Sequence, residues 1–238
     1  RIVILLLLSI GTMINYLDRT ILGVVAPALT HELHIDPAIM GIVFSAFAWT
    51  YALAQIPGGM FLDRFGNKLT YALSIFFWST FTLLQSFSLG LKSLLLFRLG
   101  LGISEAPCCP VNSRVVGTWF PQHERARATA TYTVGEYIGL AAFSPLLFLI
   151  LEHHGWRTLF FLTGGLGIAF TFVWWKFYKE PHESTTANKE ELDYIGIGNK
   201  EKASENIPFN WADAKRLICC RQVIGASLGQ FAGNTTLV

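Results

Sequence analysis

Between Ile2 and Tyr178 the chain alternates long apolar runs with short polar breaks, and each run is long enough to cross a membrane as a helix. A hydrocarbon core about 30 Å thick needs roughly 20 helical residues. The pattern predicts helices over about 2–29, 38–61, 69–89, 93–119, 126–151 and 158–178. Lys179 to Arg221 then holds most of the remaining charge and reads as a cytosolic linker with some amphipathic helix, and a new apolar segment starts near Val223. The expected organisation is a six-helix membrane domain over 1–178, a linker over 179–221, and the start of a seventh helix over 222–238. Such a chain is expected to be the amino-terminal half of a twelve-helix, all-α membrane protein whose second half lies outside it.

Lysine and arginine placement gives an orientation. The loops after helices 2 and 4 carry Arg64, Lys68, Arg125 and Arg127, and the linker carries Lys179, Lys189, Lys200, Lys202, Lys215, Arg216 and Arg221. The opposite loops carry Lys92 and Arg157. The amino terminus is therefore expected in the cytoplasm. The first apolar run is long and lacks a small-residue cleavage site, so no cleavable signal peptide is expected. Helices 3 and 6, aromatic in "SIFFWSTFTLLQSF" and "FTFVWWKFY", are expected to face lipid, whereas helices 1 and 4 carry charge. Matching positions one with four and three with six is the pattern of two three-helix repeats.

Composition agrees with a membrane setting: 52% of residues are hydrophobic, 14% are charged, and the mean hydropathy is +0.44. A formal net charge of +2 gives no case for nucleic acid. The four cysteines form two adjacent pairs, Cys108/Cys109 and Cys219/Cys220, without zinc or disulfide spacing. They are expected as free thiols, with Cys108 and Cys109 as small packing residues. No metal or cofactor is expected.

Against that background "MINYLDRTILG" stands out, because Asp18 and Arg19 lie in the middle of an apolar run. Arg98, Glu105 and Glu136 are likewise inside predicted spans. A charge at the bilayer centre costs about 2.5–3.5 kcal/mol on the insertion scale, so these groups must pair, hydrate or titrate. Arg98 and Glu105 lie about 20° apart around one helix and about 10.5 Å apart along it, facing one cavity at different depths. Asp18 with Arg98 is the expected cross-bundle pair. A salt-bridged lock between helices is the competing reading, but desolvation makes buried pairs a weak source of stability. Three carboxylates against two arginines point to a proton and anion site.

"GGMFLDRFGNK" resembles the cytosolic loop signature of the major facilitator superfamily, with Gly59, Asp63, Arg64, Gly66 and Lys68 in register. Its glycines allow a tight turn and close helix approach, and its charges can latch onto helix ends. With "NYLDR", "FSAFAWTYALAQIPGG" and "EAPCCPVNSRVVGTWFPQHERA", the chain is similar to the anion:cation symporter branch, and within it to bacterial proton-coupled transporters of galactonate, glucarate and hexuronate. The resemblance extends to "LGQFAGNTTLV", where it adds Gln230 to the substrate-facing positions. It implies Asp18 and Glu105 as proton carriers, Arg19, Tyr16, Tyr51, Glu136 and Gln230 as substrate-facing, and Arg98 as the coupling salt-bridge group. It further implies import of a small organic anion with protons by alternating access. The location is then a bacterial inner membrane, with a monomer working through its own carboxy-terminal half. An arginine suits the clamp because its planar fork binds a carboxylate bidentately and never deprotonates. Pro107 and Pro110 remove two backbone donors after Glu105 and are expected to bend helix 4.

One position departs from the resemblance: residue 136 is glutamate where the galactonate transporters tend to carry glutamine. Either Glu136 is protonated when ligand binds, or the ligand carries an amine or donor-rich end. Rival functions are an organic-anion uniporter or exchanger, which needs no titrating carboxylate, and a drug/proton antiporter, which two cavity arginines disfavour. A membrane enzyme or sensor would need a nucleophile and base, and His153, His154 and His182 supply neither.

Overall fold

The structure, a computed structural model, describes residues 1–181, 190–191, 194–196, 216 and 219–235. Most of the expected linker, with Lys189, Lys200, Lys202, Lys215 and His182, therefore lies outside the described residues. The described helices are α1 (Ile2–Glu32), α2 (Pro37–Gln85), α3 (Leu91–Glu105), α4 (Cys108–Trp119), α5 (Gln122–Phe177) and α6 (Arg221–Thr235). The first five belong to one compact unit, Arg1–Asn199, and α6 belongs to a second, Lys200–Val238.

Helices α2 and α5, with 49 and 56 residues, would each run more than twice the bilayer core if straight. Each is divided by one glycine. Gly66 has φ 76° and ψ 175°, and Gly155 has φ 77° and ψ 170°, a backbone region reserved almost wholly for glycine. Both follow the same local pattern, Leu62-Asp63-Arg64-Phe65-Gly66 and Leu151-Glu152-His153-His154-Gly155. A common break after a common pattern marks the second element of each three-helix repeat. Counting the two limbs of α2 and of α5, with α1 and the broken α3/α4 pair, the unit contains the six expected spans.

Small residues set how closely these limbs cross. A Cβ on Gly135 or Gly139 of α5 would lie 3.0 Å from the Ser9 carbonyl oxygen or 3.1 Å from that of Met13 on α1. A Cβ on Gly102 of α3 would lie 2.6 Å from the Phe47 carbonyl oxygen of α2, and one on Gly164 would lie 2.6 Å from the Leu83 nitrogen. Backbones therefore meet at α1 with the first limb of α5, α3 with the first limb of α2, and the two second limbs with each other. This arrangement maps one repeat onto the other.

Two expectations need correction. The second limbs of α2 and α5 are not simply lipid-facing: Tyr71, Ile75, Trp78, Phe160 and Trp174 are buried, while Phe76, Phe77, Phe172 and Trp175 are exposed. Each limb is aromatic on both faces, so composition alone hid its inner face. Within the loop signature, Gly59 has open space beside it, and the close approach belongs to Gly58, whose Cβ would lie 3.0 Å from the Pro107 ring. Gly66, with its positive φ, supplies the turn. Asp63 accepts a 2.9 Å hydrogen bond from Arg114 of α4, which also donates to the Leu62 carbonyl, so the latch joins α2 to α4. Arg64 stands over the Phe65 ring, and Lys68 over the Trp175 ring.

Candidate substrate and proton site

The intramembrane charges of α1 and α3 come together in the middle of the bundle. The α-helical hydrogen-bond ladder stops at Glu105 and resumes at Cys108, while Ala106 (φ −52°, ψ −39°) and Pro107 (φ −68°, ψ −13°) stay in the right-handed helical region, so Pro107 interrupts the ladder without turning the chain out of its helical path. Glu105, at that interruption, is fully buried. Its Oε1 accepts a 2.6 Å hydrogen bond from Arg19 Nε and pairs with Arg19 Nη2 as well, while its Oε2 has no hydrogen-bond partner. Arg19 keeps 28% of its side chain exposed. The ion pair therefore has one buried member and one member that reaches open space.

Three aromatic rings surround the Arg19 guanidinium: Tyr51 at 4.8 Å, Tyr16 at 5.0 Å and Phe47 at 5.2 Å. Phe47 and Tyr51, four residues apart on α2, stack with centroids 5.6 Å apart. Such a box holds a cation through ring faces while leaving its N–H edges free for an anion. The Tyr51 hydroxyl lies 3.2 Å from Cys109 Sγ. Cys109 is exposed and Cys108 buried, so only Cys108 is the packing residue expected. Glu136, half-buried on α5, interacts with the Tyr16 hydroxyl and with Arg19.

The expected Asp18–Arg98 pair is not formed. Asp18 is 2% exposed and neither of its carboxylate oxygens has a hydrogen-bond partner. Trp78, Thr82 and Thr163 are its polar neighbours from α2 and α5. Arg98, 4% exposed, lies over the Phe47 ring at 5.6 Å with its Nε unpartnered, and it feels the charges of Glu105 and Asp18 without bonding to either. The physical reason is the neighbour of Asp18 in sequence. Adjacent residues diverge by about 100° around a helix, so Arg19 reaches Glu105 while Asp18 turns toward the second limbs of α2 and α5. Leaving a buried polar group unpaired costs about 1–3 kcal/mol, which makes this cluster poised rather than locked.

Tyr16, Arg19, Tyr51, Arg98, Glu105 and Glu136 thus share one site, with Asp18 behind it. Gln230 falls within α6 of the second unit, and its side chain lies outside the described residues. Sequence reading missed Phe47 and Cys109, although Phe47 is visible afterwards as the i−4 partner of Tyr51 in "FAWTY". It also missed Thr82 and Thr163, whose hydroxyls give no sequence signal in apolar helices. Among the described residues no cluster of His, Cys, Asp and Glu could hold a metal ion.

A helical membrane unit with two three-helix repeats and an arginine–carboxylate site at its centre is the architectural class of this chain. The family model described as Major Facilitator Superfamily matches residues 8–238, and the chain belongs to that superfamily. Its members and the relatives found are transporters, not enzymes. The chain is 45% identical to a D-galactonate transporter of Escherichia coli O6:H1, covering 100% of this chain and 56% of the relative. It is 39% identical to a probable galactarate/D-glucarate transporter, GudP, of Escherichia coli K12, covering 97% of this chain and 54% of the relative. The chain therefore spans about half the length of the curated relatives it matches. Among solved structures, a bacterial homolog of the human lysosomal transporter Spinster, inward-facing and occupied, matches with a TM-score of 0.67 at 28% identity, over 76% of this chain and 45% of that one. The proton:xylose symporter XylE matches with a TM-score of 0.64 at 14% identity, over 83% of this chain and 50% of that one, a likeness of fold alone.

Proposed function

We propose that the full-length protein is a proton-coupled symporter that imports a sugar acid, such as galactonate or a related hydroxylated carboxylate, across a bacterial inner membrane. The supporting observation is the Arg19–Glu105 pair: a half-open guanidinium in an aromatic box, held by a fully buried carboxylate. While Glu105 is ionised, Arg19 spends its N–H edge on it. A proton on Glu105 releases that edge to a ligand carboxylate, and the aromatic rings keep the guanidinium in place during the exchange.

Charge arithmetic points the same way. Asp18, Glu105 and Glu136 outnumber Arg19 and Arg98 by one, and protonating Asp18 and Glu105 turns the site's net charge from minus one to plus one. Protons thus create the anion site. Tyr16, Tyr51 and Cys109 offer hydroxyl and thiol groups to a polyhydroxylated ligand, and Gln230 would join them from the other half. The amino terminus is cytoplasmic in this reading, residues 179–221 connect the halves, and a monomer rocks its two halves about the site.

The test is uptake by the full-length protein in proteoliposomes, screened against sugar acids, aromatic acids and amino-acid derivatives, with and without an imposed pH gradient. Accumulation of a sugar acid only under an inward proton gradient is expected. Gradient-independent equilibration would identify a uniporter or exchanger.

Glu136 gives a sharper test of ligand class. Glu136 feels the Arg19 charge, so as an ionised group it would compete with a ligand carboxylate for Arg19, whereas as a neutral acid it would not. Glu136→Gln is expected to tighten binding of plain sugar acids about three- to tenfold, since a charge pair near a surface is worth about 1 kcal/mol. The same change is expected to weaken binding of zwitterions. Calorimetric titration of both ligand types from acid to neutral pH reads this out, and identical profiles for the two proteins would remove Glu136 from the ligand site.

A further inference from the structure

We infer that one face of the second limb of α2 holds a file of water that delivers protons to Asp18 from the end of the bundle remote from Gly66. The inference rests on the symport reading above and adds a route to it. Trp78, Thr82 and Gln85 follow at helical spacing of four and three, so they share a face, and Ser88 continues three residues further. The backbone bond from Ser88 N to the Gln85 carbonyl keeps the turn intact to that point. All four residues are no more than 1% exposed. Trp78 Nε1, Thr82 Oγ1, Gln85 Oε1 and Ser88 Oγ each lack a hydrogen-bond partner, as does Ser79 Oγ beside them.

Hydroxyls in apolar helices ordinarily satisfy themselves on the preceding turn. Thr80 does so on the Phe76 carbonyl at 2.7 Å, and Thr163 on the Leu159 carbonyl at 2.9 Å. Thr82 does not, and its hydroxyl stays available on the inner face. The second limb of α5 cannot offer a longer partner at the crossing, because Gly164 there brings its backbone against Ser79 and Leu83. Buried polar groups without protein partners are the usual seats of internal water.

The row starts at Asp18, whose polar neighbours include Trp78 and Thr82. It ends at Ser88, between Phe87 and Leu89, which line a surface hollow of about 460 Å³ with Ser86, Arg157, Thr158 and Phe161. The ten-residue step from Trp78 to Ser88, helical as far as Gln85, spans about 15 Å, a distance that about five waters bridge at hydrogen-bond spacing. The charged groups facing Asp18 are Glu105 and Arg98 from α3, with Arg19 beside it on α1. The limbs of α2 and α5 present only neutral groups to it. A proton entering at the hollow passes from oxygen to oxygen, each water accepting one and releasing another. It ends as an O–H bond on the Asp18 carboxylate, which becomes neutral.

Hydroxyl-radical footprinting of the full-length protein in lipid nanodiscs tests the water independently of transport. Trp78 and Trp174 are both fully buried, but Trp174 Nε1 is satisfied by the Lys68 carbonyl. Trp78 is expected to oxidise at least tenfold faster than Trp174, and Thr82→Val/Gln85→Leu to bring it down to the Trp174 rate. In proteoliposomes the double variant is expected to lower the ratio of pH-driven uptake to substrate exchange at least tenfold, with Thr82→Ser/Gln85→Asn restoring it. If the double variant does not reach the membrane folded, Gln85→Leu alone carries the same comparison. A protected Trp78 overturns the water file and leaves symport standing. A parental ratio in the double variant overturns the delivery of protons by this route. An oxidised Trp78 with no pH-driven uptake by the parent protein overturns the symport reading and the proton delivery with it, leaving only the water.

Discussion

Arg19→Lys is expected to weaken binding of a carboxylate ligand about ten- to a hundredfold while leaving the charge of the site unchanged. The guanidinium makes two contacts to Glu105 Oε1 and lies within 5.2 Å of three ring centroids, a geometry fitted to a flat, forked cation. An ammonium keeps the attraction to Glu105 but loses the fork, and with it one charge-assisted hydrogen bond to the ligand, worth about 1.5–3 kcal/mol. That energy corresponds to the stated loss of affinity. Equilibrium binding to the purified full-length variant at one acid and one neutral pH measures it. Affinity within threefold of the parent would show that the ligand carboxylate docks elsewhere. Arg19→Ala is the less informative change, because it leaves Glu105 buried and uncompensated, at a cost of about 3–5 kcal/mol in stability.

Much of this was legible in the sequence, for reasons that differ from residue to residue. Asp18, Arg19, Arg98, Glu105 and Glu136 declare themselves because an ionisable group in a long apolar run is costly and so must pair, hydrate or titrate. The six spans follow from length and hydropathy, and the interruption of the hydrogen-bond ladder after Glu105 follows from Pro107. Pairing was harder. Asp18 and Arg98 have opposite charges and plausible depths, yet the rotation of α1 gives Arg19 to Glu105 and leaves Asp18 facing hydroxyls. No one-dimensional pattern fixes that rotation. The inner faces of the second limbs were also hidden, since Trp78 and Phe77 look alike as letters while one is buried and the other exposed. Gly58 and Gly59 pose the same problem: only the crossing of α2 with Pro107 decides which of them is needed.

Glu105→Gln is expected to abolish pH-driven accumulation and to flatten the pH dependence of binding. The carboxylate is fully buried, its Oε1 is committed to Arg19 and its Oε2 is bare, so a proton arriving there has one oxygen to occupy and one ion pair to dissolve. A glutamine mimics the protonated acid permanently. Arg19 is then free of its charged competitor at every pH, and affinity for a sugar acid at neutral pH is expected to rise toward that of the parent protein under acid conditions, the remaining difference being the charge on Asp18. What is lost is the coupling. Each pH unit of gradient supplies about 1.4 kcal/mol per proton, a tenfold accumulation, and that factor is expected to disappear when residue 105 has no carboxyl group to carry a proton. Exchange of preloaded substrate, which needs binding and alternating access but no net proton movement, is expected to continue. Running both assays on one proteoliposome preparation separates the cases: accumulation that still follows the pH gradient in Glu105→Gln would move the coupling proton away from Glu105 and leave Asp18 to carry it.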